Sequence, residues 1–206
     1  VRLTKSQREY LEKAASVFQK NIDLAGDYLT QRGIGPRAAH NFRLGVVGEG
    51  LVGFEQYLGR LAIPYITRTG VIDIRFRAIG PEQPKYLGMP GASTHMYNVL
   101  SVLGAQDNIA LCEGEIDTLT LHHNVGIPCV GIPGANNWKK HYNKILADFE
   151  TVYIFADGDQ AGQDFGKRMA KELQGVRIVQ MPEGEDVNSM YTTNGPEWFQ
   201  NRIKND

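Results

Sequence analysis

TVYIFADGDQAG, residues 151–162, runs an apolar strand into two aspartates separated by one glycine and then opens a helix. The same sequence of events surrounds it. NIALCEGE (108–115) leads into IDTLTLHHN (116–124), IPCVGIPG (127–134) into NNWKKHYNKILADF (136–149), and TVYIFADGD into QAGQDFGKRMAKELQG (160–175), before VRIVQMP (176–182) closes the series. Short apolar strands alternating with amphipathic helices predict a mainly parallel, Rossmann-like sheet with helices packed on its faces. PEWFQNRIK (196–204) predicts a short helical tail that packs Trp198, Phe199 and Ile203 against the body.

The opening segment has other periods. SQREYLEKAASVFQKN (6–21) places Tyr10, Leu11, Ala14, Val17 and Phe18 at helical spacing, with Ser6 as the expected N-cap. A second helix in 23–33 should stop at Gly33, and a third should open on Pro36 and stop at Gly45. GRLAIPYI (59–66), the turn TRTG and VIDIRFRAI (71–79) predict a hairpin with one wet face. GPEQPKYLGMPGAS (80–93), rich in Pro and Gly, is expected to be loop. The predicted class is α/β: a mixed α+β segment over 1–105, the parallel-sheet domain over 106–182, and an acidic segment with a helical tail over 183–206.

Composition narrows the function. The chain has 206 residues, 42% hydrophobic and 22% charged, as soluble globular domains do. No apolar run reaches the roughly 20 residues of a membrane span, and the first residues lack the apolar core of a secretory signal, so a cytoplasmic protein is expected. The net charge of −1 requires that any nucleic-acid binding come from a local basic patch. Cys112 and Cys129 have no zinc-ligand spacing, so no zinc is expected in this chain, and both are expected to be buried free thiols.

Acidic residues collect after three of the predicted strands. Glu113 follows the first, with Glu115 and Asp117 just beyond; Asp157 and Asp159 follow the third; Glu183, Glu185 and Asp186 follow the last. In open parallel sheets ligands bind outside the carboxyl ends of the strands, so these carboxylates converge if the strands are neighbours. Unpaired, they would repel one another and their pKa values would rise. A divalent cation removes that conflict, and hard oxygen ligands with room for water suit Mg²⁺ or Mn²⁺. A single D-G-D after a strand is also an ordinary turn, and acidic residues at a helix start complement its dipole. Three acidic strand ends in one alternating segment favour the metal.

LCEGEIDTLTL followed by YIFADGDQAGQDFGKRMAKEL resembles the Toprim domain of DnaG-type primases, topoisomerases, OLD-type nucleases and RecR-type proteins, whose signature is a glutamate after one strand and D-x-D after a later one. EGEIDTLT and DGDQAGQ are most similar to the bacterial and bacteriophage primase branch. YLTQRGIGPRAAHNFRLGVV, the 59–79 hairpin and QPKYLGMPG resemble the helical segment, basic hairpin and P-K-Y-L loop of the primase polymerase core. The resemblance implies a DNA primase: metal-dependent, template-directed synthesis of short RNA primers on single-stranded DNA for replication.

It implies Glu113, Asp157 and Asp159 as catalytic metal residues, Glu113 as either ligand or general acid or base, with Glu185 and Asp186 as accessory ligands. Arg60, Arg75, Arg77, Lys85 and Tyr86 would contact template or nucleotide; arginines on a half-buried strand are otherwise a solvated face. Implied partners are ribonucleoside triphosphates and a replicative helicase, a separate zinc-binding primase module or both, in a bacterial or infected host cytoplasm. The H-K-G-R segment of bacterial primases has no counterpart in GASTHMYNVL (91–100), so nucleotide contacts should be fewer or rearranged. GIPGANNWKKH (131–141) is either a phosphate loop using Asn136 and Lys139 or a Gly-Ala turn with an asparagine cap. A Toprim nuclease and a non-catalytic DNA-binding replisome module are the alternatives.

Overall fold

A computed structural model describes residues 3–134 and 137–204, the side chain of Lys204 excepted. The chain divides into two compact units, Val1–His95 and Met96–Asp206.

In the first unit the helix α1 (Lys5–Gln19) starts two residues earlier than the sequence suggests. Thr4 caps it and Gln7 closes a reciprocal capping box, a better arrangement than Ser6 could make from inside the helix. Its buried face is Leu11, Ala14, Ala15 and Phe18. Tyr10 is not part of that face; it is 39% exposed and stacks on Phe54 with centroids 5.8 Å apart. A 3₁₀ turn (Ile22–Ala25), α2 (Gly26–Gln31) and α3 (Pro36–Asn41) follow. α3 ends before Gly45, because Arg43 takes the left-handed conformation (φ 52°). Gly45 instead lies in a strand pressed on α1, where a Cβ would stand 2.2 Å from the Phe18 carbonyl carbon.

That strand, β1 (Gly45–Val46), joins β2 (Leu61–Thr67), β3 (Gly70–Arg77) and β4 (Tyr86–Leu87) in an antiparallel sheet of that order. β4 falls in the stretch expected to be all loop: Tyr86 and Leu87 pair with Arg77 and Phe76, short-range pairing that composition conceals. The hairpin also lacks a uniformly wet face. Asp73 and Arg77, on its polar side, are 6% and 5% exposed. On the other side Phe54, Tyr57, Ile74 and Phe76 pack with α1, and Tyr57 stacks on Phe76 at 3.8 Å.

The second unit holds a four-stranded parallel sheet of β5 (Asn108–Cys112), β6 (Cys129–Gly131), β7 (Thr151–Ala156) and β8 (Val176–Gln180), in the order β6-β5-β7-β8. Alternate side chains enter two cores. Ile109, Leu111, Val152 and Ile154 pack with Phe165 and Met169 of α6 (Gln160–Glu172). Ala110, Cys112, Tyr153 and Phe155 pack with Val187 and Met190 of α7 (Val187–Asn194) and Phe199 of α8 (Glu197–Lys204). Burial on both faces explains why β5, β6 and β7 are almost continuously apolar, while β8, at the edge of the sheet, leaves Arg177, Ile178 and Gln180 exposed.

Cys112 and Cys129 are buried free thiols with their sulfurs 3.5 Å apart. α4 (Glu115–Leu119) runs on into a wider helical turn over Thr120–Val125. α5 (Tyr142–Leu146) is much shorter than the predicted 136–149 helix; the preceding chain makes turns instead, with Asn137 bonding Pro133 O through its amide at 2.6 Å.

Candidate functional site

In the order β6-β5-β7-β8 the chain leaves β5 to one side for β6 and returns to the other side for β7, so strand order reverses between β5 and β7. That crevice is where open parallel sheets bind ligands. Glu113 leaves the end of β5 there and Asp157 the end of β7.

Glu113 and Asp157 are in contact through the backbone of the latter. A carboxylate oxygen of Glu113 accepts from the backbone N–H of Asp157. Glu113 Oε1 is buried without a hydrogen-bond partner among the described residues. Burial first, then the charge of Asp159 and, more weakly, of Asp117, push the Glu113 carboxyl up to about 7. Asp157 rises to about 8 through burial, followed by the charges of Asp117, Glu113, Asp186 and Asp159. Carboxylates from three strand ends thus act on one another, as crowding without a counter-ion demands.

Asp159 and Asp186 are held differently, as helix N-caps. Asp159 Oδ1 accepts from Gly162 N at 2.7 Å at the start of α6, and Asp186 Oδ1 from Ser189 N at 2.7 Å at the start of α7. Glu185 and Asp186 are half-buried and Glu183 is exposed.

The turns that carry these groups are joined through their backbones. Gly158 N donates to Glu185 O at 2.8 Å, and Gly184 N donates to Gly158 O at 2.9 Å. A Cβ on Gly158 would stand 1.7 Å from Pro182 O, so glycine is required by close approach of the two turns. Its φ is not positive, so the requirement is one of space and not of backbone conformation. Gln180, which no sequence motif singles out, braces the same turn by donating from Nε2 to Asp157 O at 2.6 Å and Ala156 O at 3.2 Å. Gly114 is explained by its neighbour: Asp117 Oδ2 lies 2.4 Å from where its Cβ would be.

Among the described residues no three His, Cys, Asp or Glu side chains form a ready-made metal cage. Mg²⁺ does not need one; it keeps several waters and takes one or two carboxylates. The all-oxygen donors of Glu113, Asp157 and Asp159, their mutual repulsion and the partnerless Oε1 of Glu113 fit such an ion.

The basic candidates all lie in the first unit. Arg60 is 8% exposed and donates from Nη1 to Pro84 O at 2.8 Å, which ties the loop before β4 to β2. The guanidinium carbons of Arg75 and Arg77 each stand 4.9 Å from the Tyr86 ring centroid, and Arg77 also bonds the Tyr86 hydroxyl. Arg77 and Arg32 in turn stand 5.6 Å and 5.7 Å from the Tyr28 ring. Tyr86, expected to contact template or nucleotide, carries two guanidiniums. Lys85 is exposed and Arg75 half-buried. Of the suggested phosphate loop, Lys139 is half-buried and Asn136 lies outside the described residues.

This architecture, a parallel sheet with acidic strand ends at its switch point, is that of a Toprim domain, and residues 110–191 match the Toprim-like family. The chain is 42% identical over 152 residues to the Gene 57 protein of Mycobacterium phage D29, covering 71% of this chain and 99% of that protein. It is 24% identical over 252 residues to the DNA primase of Buchnera aphidicola, covering 98% of this chain but 44% of that protein. In structure it superposes on a DnaG primase catalytic domain bound to single-stranded DNA, with a TM-score of 0.75 at 21% identity over 98% of this chain and 83% of that one. The chain belongs to the DnaG-type primase family. It spans less than half the length of the bacterial primase it matches. No helix among the described residues is long and apolar enough to cross a membrane.

Proposed function

We propose that the chain is the catalytic core of a DNA primase, joining ribonucleotides into short primers on single-stranded DNA. The observation that carries this reading is the contact of Glu113 with Asp157 at the switch point, within reach of the charges of Asp159 and Asp186. Asp157 and Asp159 would hold Mg²⁺ or Mn²⁺, with Glu113 Oε1 completing the set and Glu185 and Asp186 as accessory groups. When bound, the ion supplies positive charge to the triphosphate and to the charge that develops as a 3′-hydroxyl attacks the α-phosphate.

The chain's own groups do the rest. Lys85 and Arg75 would hold the template or nucleotide phosphates, while Arg77, bonded to Tyr86, keeps that surface in shape. Arg60 would act indirectly, through the loop it anchors. The Asn137 bond to Pro133 O supports the turn reading of this stretch over the phosphate loop, with Lys139 the residue that would contact phosphate. A replicative helicase and a separate zinc-binding module are the proposed partners, in a bacterial or infected host cytoplasm.

The test is one reaction: single-stranded template, labelled ribonucleoside triphosphates and Mg²⁺ or Mn²⁺. Extended products that disappear in Asp157→Asn support the primase. Cleaved template would point to a Toprim nuclease, and neither product to a DNA-binding replisome module.

A further inference from the structure

Asp117 lies one helical turn beyond Glu113, on α4, and is 8% exposed. Its Oδ1 accepts from the backbone N–H of Asn188 at 3.0 Å, and its Oδ2 is folded back over Gly114. Asn188 is 1% exposed and sits in the first turn of α7, two residues after Asp186. Its side-chain Nδ2 donates to Thr120 Oγ1 at 3.0 Å, and the Thr120 hydroxyl donates to Ile116 O at 2.8 Å. The hydroxyl's single proton is thereby used, so its lone pair is what Asn188 takes. Two bonds from one residue of α7 thus reach two positions, three residues apart, on the helical stretch that follows Glu113.

The 182–186 turn is fixed from its other side by the paired backbones of Gly158, Gly184 and Glu185. On the side of the helix after Glu113 it is followed by the Asp117–Asn188 contact. A buried carboxylate beside Asp157 and Glu113 is electrostatically unfavourable, and an ordinary bond to one N–H does not require a charge.

We infer that Asp117 is a positioning residue: through Asn188 it holds the first turn of α7, and with it Asp186, in register with Glu113, and it does not touch the ion. The inference deepens the metal-site reading above and rests on it. What Asp117 supplies is an acceptor oxygen at a fixed place, which asparagine also supplies.

The experiment uses the full chain and the Asp117→Asn, Asp117→Ala and Thr120→Val variants. Two quantities are measured: hydrogen exchange of the Asn188 backbone amide in metal-free protein, and Mn²⁺ affinity from the free-ion electron paramagnetic resonance signal. In Asp117→Ala the Asn188 amide should lose protection, and Mn²⁺ binding should weaken by about 10- to 100-fold, as when outer partners of metal ligands are removed. Asp117→Asn should keep both within about threefold of wild type, since its amide oxygen can accept the same bond. If Asp117→Asn weakens Mn²⁺ binding as much as Asp117→Ala while the Asn188 amide stays protected, Asp117 is a ligand and the inference is overturned. Unchanged protection in Asp117→Ala overturns it as well. Should Asp117→Ala fail to fold, Thr120→Val removes the other half of the contact without a charge change, and unaltered Mn²⁺ affinity there counts against the inference. If wild type binds no Mn²⁺ while amide protection follows the variants as stated, the positional contact stands and the metal-site reading falls.

Discussion

The backbone N–H of Asp157 donates to the carboxylate of Glu113, so the end of β7 grips the side chain that leaves the end of β5. Two carboxylates brought so close, and largely shielded from water, hold protons that they would otherwise release. Their pKa values of about 7 and about 8 compare with ordinary values of 4.5 and 3.8.

The sign of the resulting pH dependence follows from linkage. Between the unfolded and folded pKa values the folded, metal-free chain binds more protons than the unfolded one, so stability falls as pH rises. The contribution is fully present below the ordinary values of 4.5 and 3.8 and is lost progressively as pH rises from there through about 7 and about 8. The melting temperature of metal-free protein should therefore decline over this window relative to Asp157→Asn, and Mg²⁺ should restore it at pH 8. Each kcal/mol corresponds to roughly 2–4 °C in a chain of this size. A wild-type profile parallel to that of Asp157→Asn would contradict the crowding.

Asp157→Asn should also be more stable than wild type at pH 8 without metal, because one of the repelling charges is gone, yet make no primers. Stability and activity moving in opposite directions is the mark of a functional site rather than a structural one. Thermal melts beside the primer assay decide it.

Gly158→Ala places a methyl carbon 1.7 Å from Pro182 O. The two turns must separate, which should cost about 2 kcal/mol or more and abolish primer synthesis. Urea unfolding measures the first effect. A variant of wild-type stability would show that the turns are free to part.

Lys85 and Arg77 should behave as opposites. Lys85→Ala, at an exposed position, should leave the melting temperature unchanged, weaken single-stranded DNA binding and lower the salt slope by about one. Arg77→Ala removes a buried guanidinium that bonds the Tyr86 hydroxyl, so it should destabilise the first unit by about 1–3 kcal/mol besides weakening binding. Fluorescence anisotropy at several salt concentrations, with parallel melts, separates the two.

Phe199→Ala empties a fully buried position beside Phe155, with centroids 5.9 Å apart. It should cost about 3–5 kcal/mol by urea unfolding.

The alternation of strand and helix over 108–182 was legible because β5, β6 and β7 are buried on both faces and α6 buries one face through Phe165 and Met169. The acidic strand ends were legible because their residue types are out of place beside apolar strands. What could not be read are relationships between distant segments. Tyr86 and Leu87 pair with β3 inside a stretch whose prolines and glycines signal loop. Arg60 and Arg77 look like surface cations until Pro84 O and the Tyr86 hydroxyl are seen to bury them. Gln180 carries no motif, and its role follows from which carbonyls lie across the sheet. Asp117 stood beside the signature residues, but its link to Asn188 spans 71 positions of sequence.

Because Gly158 is paired through both its N–H and its C=O with the stretch that follows β8, that stretch has no slack. A single inserted or deleted residue between Met181 and Asp186 would slide one acidic turn past the other and break the match. Evolutionary changes of length should therefore gather away from this junction, at exposed places such as the turn before β5, and chains that differ greatly in size should still keep the same count of residues here.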